Sequence, residues 1–338
     1  MLIVMHPGAG EDDIEKVEEV IRGIGLTPHR IPGEYRAAVA VIGNAEPIPE
    51  EHFENLSGVA EVLAVSRPHR RVSRDTKRAD TVITVRGRQI GGSRFALISG
   101  PCAVESEEQI MAIAAGVKAA GGQFLRGGAV KPRTSPYSFQ GLGKDGYLFL
   151  HRAAEKHDLV TVSEVVDAET VAMARDHVDI LQVGSRNMQN YSLLKLVGKQ
   201  EKPVLLKRSA SANLEEFLLA AEHILSAGNQ NVVFCERGIR TFSDFQRNTF
   251  DVSVIPEIKA RSHLPIIADP SHASGKRSMI RPLARAAMGA GADGVMVEMH
   301  ICPDDALSDG CQSLEPQDLK ELFAELKRLV PLFDKKID

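Results

Sequence analysis

Short apolar runs and one amphipathic stretch in the first 66 residues predict a small α+β unit. Residues 11–25 carry apolar side chains at helical spacing and begin with three acidic residues, which favour a helix N-terminus. Strands are predicted at Leu2–Met5, 37–42 and 59–65, with a weaker strand at Thr27–Ile31 and a short helix over 49–56. The resulting order, β-α-β-β-α-β, is the ferredoxin-like pattern.

From about residue 95 the pattern changes to β-branched runs that alternate with amphipathic helices. The predicted strands are 95–99, 123–126, Val160–Val165, Ile180–Val183, Val204–Lys207, 232–235, Ile266–Ala268 and Gly294–Glu298. Helical patterns lie between most of them, for example over 108–120, 214–227 and 279–291, and a last one covers 316–332. Eight strands alternating with helices favour a (β/α)8 barrel over an open doubly wound sheet. No G-x-G-x-x-G sequence follows the first strand, which argues against a dinucleotide-binding fold.

The predicted fold class is therefore α/β, a (β/α)8 TIM barrel with a small N-terminal α+β ferredoxin-like domain. We predict the small domain over 1–66, a linker and barrel entry over 67–94, and the barrel over 95–338. Residues 67–81 hold five arginines and one lysine. That charge would suit a nucleic-acid-binding arm, but a solvated linker or an interface segment is favoured because no aromatic residues interleave with it.

Composition narrows the function to that of a cytoplasmic enzyme. The chain has 338 residues, with 41 Lys and Arg against 45 Asp and Glu, a net charge of −4. This near balance gives no general attraction to nucleic acid or to an anionic membrane. No apolar run approaches the ~20 residues that span a bilayer, and the start lacks the features of a signal peptide. Four cysteines without an export signal indicate a reducing compartment.

Cationic residues follow four of the predicted barrel strands, at the end where this fold builds its reaction site. They are Arg126, Lys131, Arg133, Arg186, Lys207 and Arg237. Surface salt bridges would explain any one of them, but five or six at successive strand ends predict an anionic ligand. Guanidinium forks match carboxylate and phosphate, and lysine adds a point charge. We therefore expect a small, multiply anionic substrate, or two phosphorylated ones.

A second group of strand-end residues predicts a site for one divalent metal ion. Cys102, His272, Glu298 and Asp309 offer a thiolate, an imidazole and two carboxylates. Such a mixed set can hold Mn, Fe, Co or Zn, and the ligand types alone do not choose among them. Cys102 could instead be a buried hydrophobe, and Cys235, Cys302 and Cys311 compete for the thiolate role. Glu164 is interpreted as a general base or, preferably, as the ionic partner of a site cation.

Several motifs at these strand ends resemble one family. They are GPCAVES at 100–106, LRGGAVKPRTSPYSFQGLG at 125–143, VGSRNMQN at 183–190, LLKR at 205–208, CERGIRT at 235–241, ADPSHASG at 268–275, VEMH at 297–300 and ALSDGCQSL at 306–314. Together they resemble 3-deoxy-D-arabino-heptulosonate 7-phosphate (DAHP) synthase. The resemblance is to the type I-beta subgroup, which carries an N-terminal ferredoxin-like regulatory domain. Over residues 1–66 it rests on element order and length.

The resemblance implies condensation of phosphoenolpyruvate with erythrose 4-phosphate, with release of phosphate, as the first step of the shikimate pathway. It assigns the metal to Cys102, His272, Glu298 and Asp309, and phosphoenolpyruvate to Arg126, Lys131, Arg186, Lys207 and Arg237. It assigns the binding of erythrose 4-phosphate to Arg133, Thr134 and Ser135, with Asp269 as a weaker candidate. Lys131 is placed to assist proton transfer, so the predicted catalytic residues are Lys131, Cys102 and His272. The resemblance also implies a homotetramer and feedback inhibition by tyrosine or phenylalanine through the small domain.

Two other functions stay open at this point. The related 3-deoxy-D-manno-octulosonate 8-phosphate synthase uses the same enol substrate with a five-carbon sugar phosphate. It typically has KANRS where this chain has KPRTS, so the loop favours the four-carbon aldehyde. The other alternative is a catalytically inactive regulator that binds amino acids. Every candidate ligand and cation is present, which argues against that alternative.

Overall fold

A computed structural model describes residues 1–33, 35–43, 48–63, 69–133 and 135–337. The chain divides into two compact units, Met1–Arg70 and Arg71–Asp338. Within the described ranges, no helix is both long enough and apolar enough to cross a membrane.

The first unit has the ferredoxin-like fold that the sequence predicts. Its elements are β1 (Leu2–Met5), α1 (Glu11–Gly23), β2 (Thr27–Ile31), β3 (Ala38–Ile42), α2 (Glu51–Glu54) and β4 (Val59–Leu63). The strands form one antiparallel sheet in the order β2-β3-β1-β4. Residues 64–65, included in the last predicted strand, lie outside the described residues.

Helix α1 covers this sheet with one apolar face. Val17 and Ile21 are buried against Ile3, Met5 and Phe53. Glu18 is also buried, and its carboxylate accepts hydrogen bonds from Arg22, four residues on, and from Arg30. The burial of this carboxylate is therefore offset by two guanidinium groups.

Residues 71–81, expected to belong to a linker, are packed on the second unit. Val72 is buried in the main core, and the backbone N–H groups of Arg71 and Val72 donate to the carboxylate of Glu222. A hairpin that the sequence analysis did not identify follows, formed by β5 (Ile83–Val85) and β6 (Arg88–Ile90). Its apolar side chains join those lining the inside of the barrel near the N-terminal ends of the strands, such as Ala96 and Val160. The hairpin therefore closes that end of the barrel.

The second unit is a closed parallel barrel of eight strands. They are β7 (Ala96–Gly100), β8 (Phe124–Arg126), β9 (Val160–Val165), β10 (Ile180–Val183), β11 (Val204–Lys207), β12 (Val232–Glu236), β13 (Ile266–Ala268) and β14 (Gly294–Glu298). Each pairs in parallel with the next, and β14 pairs with β7 to close the ring. The (β/α)8 prediction is confirmed.

Helices follow every barrel strand and form the outer layer. They are α3 (Glu107–Ala120), α4 (Lys144–His157), α5 (Ala168–Ala174), α6 (Tyr191–Val197), α7 (Leu214–Ser226), α8 (Val254–Arg261), α9 (Pro270–Ser274), α10 (Arg277–Gly289) and α11 (Pro316–Leu329). The strands are buried on both faces, as parallel strands under a helical layer are. Their sequences are consequently mostly apolar, although β9 also contains Thr161, Ser163 and Glu164.

Strand register brings the last residues of neighbouring strands to one rim. Lys207 is opposite Cys235, Glu236 is opposite Ala268, and Glu298 is opposite Gly100. Since the strands are parallel, the side chains that follow them project from the same end of the barrel.

Candidate active site

A cavity of about 380 Å³ lies at the C-terminal ends of the barrel strands. All six cations singled out from the sequence line it: Arg126, Lys131, Arg133, Arg186, Lys207 and Arg237. Two arginines from the loop after β12, Arg240 and Arg247, line it as well. The wall is therefore strongly cationic.

Only part of this positive charge is neutralised by protein carboxylates. Lys207 Nζ lies 2.5 Å from Asp269 Oδ2, and Arg126 pairs with Glu298. Among the described residues, Arg186 and Arg237 make no ion pair. Burial lowers the pKa of Arg237, the sign of a charge without sufficient compensation. Arg186 is exposed, whereas Arg237 is buried, and a buried guanidinium without an ion pair needs an anionic ligand.

Lys131 joins the cationic wall to the candidate metal ligands. Its Nζ lies 3.0 Å from Cys102 Sγ and 2.9 Å from the Cys102 carbonyl oxygen. Gly100 makes this approach of β7 to β8 feasible, because a Cβ there would lie 1.9 Å from the Arg126 carbonyl oxygen. The Cys102 thiol is therefore in contact with the amine of a residue that lines the cavity.

The predicted sugar-phosphate residues are placed unequally. Arg133 lines the cavity and donates to Ser308 Oγ at 2.6 Å. Thr134 lies outside the described residues. Ser135 is exposed and does not line the cavity. A role for Ser135 therefore stays a prediction.

Cys102, His272, Glu298 and Asp309 come together beside this wall. Each offers a ligand atom, and these atoms lie within 4.8 Å of one another. Cys102 Sγ is 3.2 Å from Asp309 Oδ2, and His272 Nε2 is 3.2 Å from Glu298 Oε1. One sulfur, one nitrogen and two oxygen donors suit a divalent ion such as Mn, Fe, Co or Zn.

The electrostatics of the group also fit a bound cation. Burial, with the charge of Glu298, raises the pKa of the Cys102 thiol to about 11. Burial alone would raise the pKa of Asp309, but its neighbours, among them His272 and Arg247, hold it at about 2. Burial lowers the pKa of His272, which favours the neutral ring that binds metals. A divalent cation would favour the thiolate of Cys102, as metals do for coordinating thiols.

Asp269 orients His272, one of the four candidate metal ligands. It caps the short helix α9, accepting the His272 backbone N–H at 3.0 Å, and a proline follows it at the first helical position. Its Oδ2 is 2.7 Å from His272 Nδ1, so Nε2 faces the candidate site. Asp269 is fully buried and does not line the cavity. Its carboxylate is engaged by His272 and Lys207, and a contact between Asp269 and erythrose 4-phosphate stays a prediction.

In the described part of the chain, Glu164 does not form the ion pair with a site cation that the sequence analysis preferred. Among described residues it makes no ion pair, and its side chain accepts only from Gln182 Nε2, at 3.5 Å. Gly184 accommodates the carboxylate, because a Cβ there would lie 1.9 Å from Glu164 Oε1. Glu164 and Gln182 both line the cavity.

The competing cysteines are elsewhere. Cys235 lies inside the barrel among apolar side chains, and Cys302 and Cys311 are exposed. All four cysteines are within the described ranges and are free thiols. Cys102 alone of the four belongs to the candidate metal group.

Sequence reasoning missed several side chains that line the cavity or contact this group, namely Gln182, Arg240, Arg247, Ser308 and Gln312. Ser308 donates to Cys102 Sγ at 3.0 Å. Gln312 donates to Glu298 Oε2 at 2.6 Å. Both lie in the ALSDGCQSL motif. Their positions on either side of the candidate ligand Asp309 were the one feature of the sequence that could have identified them. Arg247 lies far along the loop after β12, beyond the reach of a strand-end rule.

Comparison with known proteins identifies the family. Residues 77–332 match the DAHP synthetase I family, and residues 1–67 match the DAHP synthase ferredoxin-like domain. The chain belongs to the DAHP synthetase I family.

Full-length relatives of this family member agree with the assignment. The chain is 44% identical to a phospho-2-dehydro-3-deoxyheptonate aldolase of Thermotoga maritima, over 100% of both chains. It superposes on the crystal structure of a Thermotoga maritima protein of that name, also called DAHP synthase, with a TM-score of 0.91, 43% identity and coverage of 100% of this chain and 99% of the other. A truncated form of the Thermotoga maritima synthase covers 79% of this chain and 98% of its own, with a TM-score of 0.74 and 43% identity. This family member is an enzyme, a 3-deoxy-7-phosphoheptulonate synthase.

The family member also has more distant relatives that are named for another activity. A 2-dehydro-3-deoxyphosphooctonate aldolase of Syntrophobacter fumaroxidans is 30% identical over 72% of this chain and 89% of its own length. Its name refers to an eight-carbon product, as does that of the alternative synthase considered for the KPRTS loop.

Proposed function

We propose that this DAHP synthase condenses phosphoenolpyruvate with erythrose 4-phosphate and water in a metal-dependent reaction that opens the shikimate pathway. The observation that carries the proposal is the convergence of eight lysine and arginine side chains on one cavity, beside a Cys–His–Glu–Asp group. Two phosphorylated substrates supply the negative charge that such a wall needs.

The cations divide between the two substrates. Phosphoenolpyruvate, with a carboxylate and a phosphate, binds to Arg126, Lys131, Arg186, Lys207 and Arg237. The phosphate of erythrose 4-phosphate binds to Arg133, with Thr134 and Ser135 beside it in the sequence. Arg186 and Arg237 support the first assignment, since neither has a carboxylate partner among the described residues.

The reaction needs a carbon nucleophile, an activated aldehyde and one proton. The methylene carbon of phosphoenolpyruvate bonds to the aldehyde carbon, and the aldehyde oxygen takes a proton to become a hydroxyl. Water adds at carbon 2 of phosphoenolpyruvate and phosphate leaves. When bound by Cys102, His272, Glu298 and Asp309, a divalent ion supplies Lewis acidity toward the aldehyde carbonyl.

We assign to Lys131 the role of donating the proton that the aldehyde oxygen takes up. Its Nζ lies 3.0 Å from Cys102 Sγ, and its side chain lines the cavity, so it is next to both a candidate metal ligand and the cationic wall. The remaining cations stabilise negative charge brought together by two phosphates and a carboxylate.

Specificity for the four-carbon sugar is tested by a direct comparison of two aldehydes. Phosphate release from phosphoenolpyruvate is measured with erythrose 4-phosphate and with arabinose 5-phosphate, the full chain being supplied with Mn²⁺. We expect release with the first sugar and little with the second. Preference for arabinose 5-phosphate would assign the chain to the octulosonate reaction. No phosphate release with either sugar would support the alternative of a catalytically inactive regulator.

The ferredoxin-like unit is proposed to be an allosteric device that binds tyrosine or phenylalanine, in a homotetramer. A ligand can inhibit only by binding one arrangement of the protein better than another. The match of residues 1–67 to the ferredoxin-like domain found in DAHP synthases supports this role. The effector is identified by titrating each aromatic amino acid into the condensation assay.

A further inference from the structure

Gln312 lies between Glu298, one of the two carboxylates of the candidate metal group, and Arg247. Its side chain is only 1% exposed, and both ends of the amide are hydrogen bonded. Nε2 donates to Glu298 Oε2 at 2.6 Å, and Oε1 accepts from Arg247 at 3.0 Å. An ionised carboxylate can only accept and a guanidinium can only donate, so these partners fix which way the amide points.

Glu298 is thereby held from two sides. Its Oε1 accepts from Arg126 and lies 3.2 Å from His272 Nε2. Its Oε2 has Gln312 as its donor. Because Glu298 is fully buried, no solvent can replace that donor, and loss of the amide would free the carboxylate to rotate.

Arg247 extends the same restraint to the second carboxylate. The nitrogen that donates to Gln312 also lies 3.3 Å from Asp309 Oδ1, while Asp309 Oδ2 accepts from Cys102 Sγ. Asp309 itself is in the left-handed region, with φ of 57°, a conformation that a short polar side chain tolerates. Its side chain is therefore aimed by its neighbours and by an uncommon backbone conformation.

We propose that Gln312, with Arg247 behind it, is a positioning residue that holds Glu298 and Asp309 in the orientation in which they bind the divalent ion. It sets the affinity for the metal without touching metal or substrate. The inference rests on the metal site of the proposed function. Partners that orient metal ligands typically change metal affinity about 10- to 100-fold when they are lost.

The test is a cobalt titration of the metal-stripped full-length protein, followed by the thiolate-to-cobalt absorption band. This band reports a bond to Cys102 and does not depend on turnover. We expect Gln312→Leu to raise the Co²⁺ dissociation constant about 10- to 100-fold. Gln317→Leu is the matched control, since Gln317 is an exposed glutamine that donates to Glu321 at 3.0 Å. It should bind as the wild type does.

A second variant covers the case in which the buried substitution prevents folding. Arg247 is 39% exposed, so Arg247→Met should fold, and it should weaken Co²⁺ binding in the same direction but less. A wild-type band with an unchanged dissociation constant in Gln312→Leu would overturn this inference alone. If Gln312→Leu does not fold, an unchanged Co²⁺ dissociation constant in Arg247→Met would also overturn the inference. A wild type without any band, or with one that persists in Cys102→Ala, would overturn the metal site and this inference with it.

Discussion

Lys131 is the residue at which the cationic wall and the candidate metal ligands meet. It lines the cavity and is within hydrogen-bonding distance of both the sulfur and the carbonyl oxygen of Cys102. Strand-end reasoning could select it, because it follows β8 closely. The same reasoning could not select Gln312 or Arg247, since their positions depend on loop conformations that no periodicity records.

Lys131→Met tests the assignment of the proton. We expect kcat to fall by about two to four orders of magnitude, the usual contribution of a general acid, with a smaller change in KM for phosphoenolpyruvate. Lys199→Met, at an exposed position, is the control and should leave both constants unchanged. Steady-state phosphate release measures them. A variant that kept its turnover number and lost only substrate affinity would make Lys131 a binding residue.

Barrel elements follow their sequence pattern closely, whereas short or loop-borne elements do not. The bounds of β9, β10, β11, β13 and β14 agree with the predicted ones, because strands buried on both faces are rich in β-branched and other apolar residues. The hairpin of β5 and β6 was missed because its strands have three residues each and its turn is Arg86-Gly87, without an Asn-Gly or Asp-Gly signal.

Loops after neighbouring strands are joined by a buried ion network that the sequence did not reveal. Arg208, next to the end of β11, donates to Glu236 at 3.1 Å and to Asp251 at 2.8 Å, and it is 5% exposed. Glu236 is fully buried at the end of β12. These contacts hold the loops that carry Arg237 and Arg247.

Arg208→Met should lower the free energy of unfolding by about 3–5 kcal/mol, because it leaves buried carboxylates without their cation. Arg152→Met is the control: this exposed arginine pairs with Glu107 at 3.1 Å, and such surface pairs contribute about 0–1 kcal/mol. Urea denaturation followed by circular dichroism measures both. Equal effects of the two substitutions would show that the Arg208 network adds nothing to stability.

The whole molecule combines an eight-stranded barrel with a small unit that has its own apolar core. The sequence predicted both folds from the change in hydrophobic pattern near residue 95. The number of subunits and the identity of the effector depend on which side chains are exposed at the surface. The hydrophobic periodicity of a single chain does not predict them.

Deletion of residues 1–66 should abolish inhibition by tyrosine or phenylalanine and leave condensation of the two substrates in place. The barrel carries every candidate ligand and cation, and a truncated form of the Thermotoga maritima synthase has been solved as a structure. Inhibitor titrations of full-length and truncated protein give the comparison. Inhibition that survives the deletion would place the effector site on the barrel.

Reconstitution of the metal-stripped enzyme tests the central claim most directly. Phosphate release from phosphoenolpyruvate and erythrose 4-phosphate is measured while Mn²⁺ is added to full-length protein and to Cys102→Ala. The account predicts no release without metal, recovery that saturates near one ion per chain, and no recovery in the variant at the same metal concentrations. Release that is unaffected by metal removal, or an equal response in Cys102→Ala, would contradict it.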